Sequence, residues 1–176
     1  MTPEFAAPEW AQELRRQGIE WRCDAVAWGG NAASYQTSWN DYHDTDVVLA
    51  MRKDVSHLHA KKPASKLINA WLAGVPAILG PEQAYRELRR SPLDYIEVAS
   101  AQEAGAALAR LAAEPQLYRA MVENGLRRGE EVRVEQCTRA WAALLFETIP
   151  ALRAPTPLAQ ASLGLRSPRR RVRGRR

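Results

Sequence analysis

Between Lys62 and Glu82 the chain runs KPASKLINAWLAGVPAILGPE, and no other stretch constrains the fold as much. Ser65 is placed to cap a helix, with its hydroxyl accepting from the first free amides. Leu67, Ala70, Trp71 and Gly74 then fall at the i, i+3, i+4, i+7 spacing of a packed helical face. Gly74 stands where helices often end, and Pro76 blocks continuation, so the chain turns directly into an apolar strand, Pro76 to Leu79. The free amides and positive dipole of such a helix start, beside Lys62 and Lys66, suit a phosphate or diphosphate. An anion site facing the end of a sheet is where open α/β folds bind nucleotides.

The rest of the pattern alternates in the same way. Pro8 to Gln17 is expected as a helix closed by Gly18, and Ile19 to Ala27 as a strand. Gly29 to Ser38 is loop, and Trp39 to His43 a short helical turn. Asp46 to Met51 is a brief apolar run of the buried parallel type, followed by a loop over Arg52 to Ala64. Pro81 to Arg90 is helix and Leu93 to Val98 strand. Ser100 with Glu103 resembles a capping box, ahead of a helix whose face is Ala104, Ala107, Leu108 and Leu111. Two further helices follow, one from Pro115 to about Glu130 and one over Val134 to Ile149. This order predicts an α/β, Rossmann-like parallel sheet with helices on both faces.

After Pro150 the periodicity stops. Residues 151–176 hold three prolines and no sustained pattern, and are expected to be a disordered, Arg-rich tail behind a single domain over 1–150. At 176 residues and 46% hydrophobic, the chain can bury one sizeable core. Eight arginines lie from Arg153 onward with no acid; the remainder has 17 basic and 20 acidic residues, so the overall charge of +5 belongs to the tail. Cys23 and Cys137 lack metal-ligand spacing and suit a reducing, cytoplasmic setting. No signal-peptide pattern and no membrane-spanning run is present.

The pattern K-P-x-S-K-L-x-N-A-W-x-A-G-V-P-A-I-x-G-x-E, continued by A-Y-R-E-L-R, resembles the C-terminal, donor-binding domain of GT-B glycosyltransferases. The resemblance is nearest to the family 4-like enzymes of bacterial polysaccharide and glycan synthesis, and covers residues 4 to 149. It implies one half of a GT-B fold. In the family that half opens with a strand and glycine-rich turn ahead of the helix at Pro8. With that first strand and the acceptor domain outside the resemblance, the sequence is expected to be a fragment, a chain with a mis-assigned start, or half of a split enzyme.

Lys62, Ser65, Lys66 and Arg52 are the candidate diphosphate ligands, by charge and by hydroxyl or amide donation. Taken singly, the two lysines and Arg52 read equally well as solvated cations. Asn69 falls where many family 4 relatives carry the second Glu of an E-x7-E motif, which the resemblance makes a ribose ligand. Lys61 stands where the first Glu belongs, so the pair is absent. Asn69 can still donate to and accept from ribose hydroxyls, or bond neighbouring backbone instead. Glu82 either caps the next helix, the favoured reading, or bonds a sugar hydroxyl. Trp39, Asp41 and Tyr42 form a W-N-D-Y cluster suited to a base pocket, with packing the main role of Trp39. His57 and His59 are loop histidines without a third metal ligand.

The resemblance implies transfer of a glycosyl group from a nucleotide-diphosphate sugar to a glycan or lipid-linked acceptor. It implies no cofactor and no metal, and a partner in a separate N-terminal acceptor domain. The competing expectation is a truncated, inactive nucleotide- or partner-binding module. A nucleotide-sugar epimerase would require acid/base histidines and carboxylates that form no clear set here. The arginine tail lacks the aromatic interleaving of nucleic-acid readers, so nucleic acid is not an expected partner. The expected location is the cytoplasm, with peripheral membrane contact at its inner face.

Overall fold

A computed structural model describes residue 5 and residues 7–22, 41–52 and 59–153. Helix α1 (Pro8–Arg16) starts on Pro8, whose missing N–H costs nothing in a first turn, and stops at Gly18, where φ is +74°. Strand β1 (Val48–Ala50), helix α2 (Ser65–Ala73), strand β2 (Ala77–Leu79), helix α3 (Gln83–Leu88) and strand β3 (Ile96–Glu97) follow. Then come α4 (Ala101–Ala113) and α5 (Pro115–Glu130). The three strands form a parallel sheet in the order β1-β2-β3, with Leu49 opposite Ile78 and Ile78 opposite Ile96. The fold is therefore α/β with a small parallel sheet.

Period-two alternation sends neighbouring strand residues to opposite faces. Leu49, Met51, Ile78, Ile96 and Val98 join one core cluster with α1 and α4, through Leu14, Ala104, Ala107, Leu108 and Leu111. Val48, Ala50, Ala77, Leu79 and Tyr95 join a second cluster with α2 and α3, through Leu67, Ala70, Trp71 and Tyr85. Helices thus cover both sheet faces, as the alternating pattern predicts. Strand β1 is only half-buried, because it is the edge of this sheet while β2 is fully buried at its centre.

Local signals explain the turns. Gly74 takes φ +68°; its N–H reaches Trp71 O at 3.1 Å and Val75 N reaches Ala70 O at 2.9 Å, the paired bonds of a Schellman end. Ser100 Oγ accepts from Glu103 N at 3.1 Å, and the Glu103 carboxylate returns to Ala99 N at 2.7 Å, a capping box displaced by one residue.

Other expectations change. Ser65 is not the cap of α2: Ala64 is, with Ile68 N bonded to Ala64 O at 3.0 Å, because burying the Ala64 methyl draws the helix back one residue. Ile19 to Arg22 form no strand, and the rest of the strand expected to Ala27 lies outside the described residues, as do the loop at 29–38, Trp39, Cys23 and His57. Asp41 to His43 are not helical; Tyr42 to Thr45 is a turn instead.

Helix α5 is held to α2 by glycines. A Cβ on Gly129 would lie 3.2 Å from Trp71 O and force the two helices apart by a few tenths of an ångström, while one on Gly125 would lie 3.4 Å from Trp71 Cδ1, in ordinary contact. Buried Asp94 ties the same region together. Its Oδ2 accepts from Arg90 N and Ser91 N at 2.7 Å each, and its Oδ1 accepts from Asn124 Nδ2 at 2.9 Å. Arg128 Nε lies 3.4 Å from Asp94 Oδ1, its guanidinium carbon sits 4.6 Å from the Trp71 ring centre, and its NH2 donates to Leu88 O at 2.9 Å.

By contacts the chain divides into Met1–Arg133 and Val134–Arg176. In the second unit, α6 (Val134–Ala143), a π-helical segment (Leu144–Thr148) and α7 (Ile149–Arg153) follow without a break, so helix carries past Pro150 to Arg153. The expected disorder of the tail falls, from residue 154 on, outside the described residues.

Candidate functional site

The first turn of α2 has no side-chain cap and no acidic residue. Alanine at the cap position offers no side-chain acceptor, so no cap side chain competes with an anion for the leading amides. Lys66 stands in that turn, exposed, and Asn69 follows one turn later on the same face. Ser65, Lys66 and Asn69 all line a cavity of about 960 Å³. Its other walls are Gly18 to Arg22, Asp41 to Ala50 without His43, and Leu108, Leu111, Ala112 and Tyr118. Four consecutive residues, Val47 to Ala50, face it, although strand neighbours point to opposite sides. The cavity therefore runs along the edge of β1 and reaches the start of α2.

Of the residues expected from sequence, Asp41, Tyr42, Ser65, Lys66 and Asn69 come together here. The Tyr42 hydroxyl and the Asn69 side chain line the same cavity, and Asn69 acts on the Tyr42 phenol, which brings the expected base and ribose residues together. Burial pushes the Tyr42 phenol up, against the opposing effect of Asn69, so it stays a neutral hydroxyl. Asp41 Oδ1 accepts from His43 N at 3.0 Å, closing a turn, so part of its capacity serves the backbone. The cavity wall carries both signs of charge: Glu20, Asp41, Asp44 and Asp46 beside Arg22, which Glu20 holds at 2.9 Å, and Lys66 at the start of α2. Lys66 and the α2 amides are the part of the wall suited to an anionic group.

Arg52 and Glu82 do not line this cavity; they meet each other. Arg52 Nε donates to Glu82 Oε1 at 3.0 Å, joining the carboxyl ends of β1 and β2. Glu82 holds the cap position of α3, but its carboxylate makes no cap hydrogen bond, so the favoured capping role fails: the nearby guanidinium claims it instead. Glu82 is 3% exposed, and its Oε2 has no partner among the described residues. Tyr85 lies beside this pair. Burial first, and then the Glu82 carboxylate, push its phenol up to about 12, which rules it out as a base near neutrality. Lys62 is exposed, its N–H closing a turn onto His59 O at 2.8 Å, and it is not part of the cavity wall. His59 has φ +45° and sits in that same turn.

Two aromatic residues were not foreseen. Tyr85 lies three residues after Glu82, a helical spacing that could have flagged it. Tyr118, which lines the cavity and donates to Asp46 O at 3.1 Å, carries no local signal because its partner is remote in sequence. Among the described residues no cluster of His, Cys, Asp or Glu is arranged to hold a metal ion. No protein-family model matches this chain, and neither a curated protein nor a solved structure matches it.

Proposed function

We propose that residues 1–133 form the donor half of a glycosyltransferase, a Rossmann-like domain that binds a nucleotide-diphosphate sugar. The observation that carries this reading is the uncapped start of α2, which opens with Lys66 onto the same cavity as Tyr42 and Asn69. A nucleoside diphosphate has this polarity: a charged tail, a ribose with paired hydroxyls, and a flat base. The α2 amides and Lys66 take the diphosphate, Asn69 takes the ribose, and Asp41 with Tyr42 takes the base edge.

In the reaction so inferred, the bond from the sugar's anomeric carbon to the diphosphate oxygen breaks as an acceptor hydroxyl attacks. Negative charge grows on the leaving diphosphate, and donors fixed beforehand at Lys66 and the helix start stabilise it there most strongly. The acceptor, a glycan or a lipid-linked sugar, comes from outside residues 1–133.

Calorimetry with UDP, GDP and ADP tests this, comparing the unaltered chain with Lys66→Ala and Lys62→Ala. The expected result is one preferred nucleotide, bound at least tenfold (~1.4 kcal/mol) more weakly by Lys66→Ala and equally well by Lys62→Ala. Binding of none of the three, or equal binding by Lys66→Ala, overturns the proposal. Nucleotide binding without sugar transfer, even with a supplied acceptor domain, would instead favour the inactive binding module.

A further inference from the structure

The helical segment from Val134 has no buried residue as far as Leu152. Yet it carries large apolar side chains: Val134, Trp141, Leu144, Leu145, Phe146 and Leu152 are all exposed, Phe146 and Leu152 at 78% and 80%. At about 100° per residue, Val134, Trp141 and Leu145 share one stripe, widened by Leu144. A short helix that buries nothing gains little from propensity alone, so this face requires a partner in order to be stable.

Charge decides which partner. From Val134 to Arg176 the unit has nine arginines against two acidic residues, Glu135 and Glu147. Seven of the nine fall within the last eleven residues, Arg166 to Arg176, and no acid follows Glu147. A second copy of this unit would bring the same excess of arginine, with only its own two carboxylates to set against it. Nucleic acid would match the arginines but not the aliphatic stripe. The partner must be anionic and apolar together, as a bilayer surface with anionic headgroups is. No helix among the described residues is long and apolar enough to cross a membrane, so the segment lies on the surface.

We propose that Val134–Arg153 is a membrane-surface helix, its Trp141, Leu144 and Leu145 stripe seated among acyl chains, and that the arginines of 166–176 engage anionic headgroups. The two parts are complementary: an apolar stripe of this size or a basic stretch alone holds a membrane weakly, and both together hold it stably. This inference is independent of the donor site.

The test uses the full chain with vesicles of phosphatidylcholine alone and vesicles that also carry phosphatidylglycerol, each prepared with and without bromine on the acyl chains. Expected are co-sedimentation with the phosphatidylglycerol vesicles only, weakening as salt rises, and bromine quenching that disappears in Trp141→Ser. Since each arginine at the surface contributes roughly fivefold, the triple change R169Q, R170Q and R171Q should weaken binding about a hundredfold. Circular dichroism on each variant shows whether residues 1–133 keep their fold. No binding to either vesicle overturns the proposal. So does binding that Trp141→Ser with Phe146→Ser leaves unchanged, a dimer that excludes lipid, or preference for a DNA duplex over the vesicles.

Discussion

The Asp94–Arg128 pair should behave as a single energetic unit, and a double-mutant cycle measures it. Every lone-pair direction of Asp94 that the fold uses faces a donor: two backbone amides on Oδ2, and Asn124 with Arg128 on Oδ1. Asp94→Asn must turn its new NH2 toward one of these pairs, so two buried donors then face a donor. Each costs about 1–3 kcal/mol. Arg128 also loses a buried counter-ion, and the total reaches about 3–5 kcal/mol, the range for removing one partner of a buried ion pair. Arg128→Met gives up a charge-assisted bond to Leu88 O, worth about 1.5–3 kcal/mol. It also gives up a desolvated cation–π contact with Trp71, worth about 2 kcal/mol.

Each single variant should therefore lower the urea midpoint by roughly 1.5–2.5 M, taking a slope near 2 kcal/mol per M. The double variant should cost about 1.5–3 kcal/mol less than the sum, since either change alone already breaks the pair. Urea unfolding followed by tryptophan fluorescence and far-UV circular dichroism gives all four corners. Arg110→Met, which breaks only an exposed i,i+4 pair with Glu114, is the control at under ~0.5 kcal/mol. Additivity within ~0.5 kcal/mol would refute the coupling, and an Asp94→Asn loss no larger than the control would refute the claim that this carboxylate is charged and buried.

Two glycines should differ for reasons legible in their surroundings. Gly129→Ala places a Cβ against Trp71 backbone, which cannot yield, and should cost about 1–3 kcal/mol in a urea melt. Gly74→Ala meets only Leu126 Cδ2 at 3.0 Å, a half-exposed side chain that can turn away, so about 1–2 kcal/mol of left-handed strain dominates; Gly74→Asn should recover part of it. Stability should fall at both ends of the pH scale. Burial raises Asp94, but the Arg90, Asn124 and Ser91 bonds and Arg128 together hold it below its usual value, while the Arg86 fork and the Tyr95 hydroxyl hold Glu97 low. Unfolding then takes up protons, so this stability is complete above about pH 5 and is lost as pH falls below about 4, through the lowered folded-state values. Tyr85 is pushed up to about 12 by burial and Glu82, so the folded state keeps a proton the unfolded chain releases near pH 10; stability falls from there upward, and Tyr85→Phe flattens that limb. An unchanged alkaline limb in Tyr85→Phe would contradict the assignment.

What could be foreseen follows from the range of the interaction responsible. The Schellman end at Gly74, the capping box at Ser100 and Glu103, and the apolar faces of α2 and α4 are set within one or two turns, and all stand as expected. The cap of α2 was misplaced by one residue because tertiary burial of Ala64 outweighs the preference of serine for that position. Glu82 was misjudged for a similar reason. Local rules give its carboxylate to the α3 dipole, but Arg52, thirty residues earlier in sequence, reaches it across two strand ends. The glycine seam of α5 against Trp71 and the Asp94 cluster join α2, α3 and α5, and no local pattern announces them. The same logic bears on the candidate site. Lys66 and Asn69 share a cavity because one helix carries both, so their spacing alone was enough. Tyr42 joins them only through the fold, and its place with Asn69 on one cavity wall turns two separate motifs into one surface. A ligand that spans the cavity must satisfy both ends at once. Asn69→Ala should therefore weaken nucleotides with a ribose more than it weakens inorganic diphosphate, whereas Lys66→Ala should weaken both. Equal losses for the two ligands in Asn69→Ala would separate the helix start from the rest of the cavity.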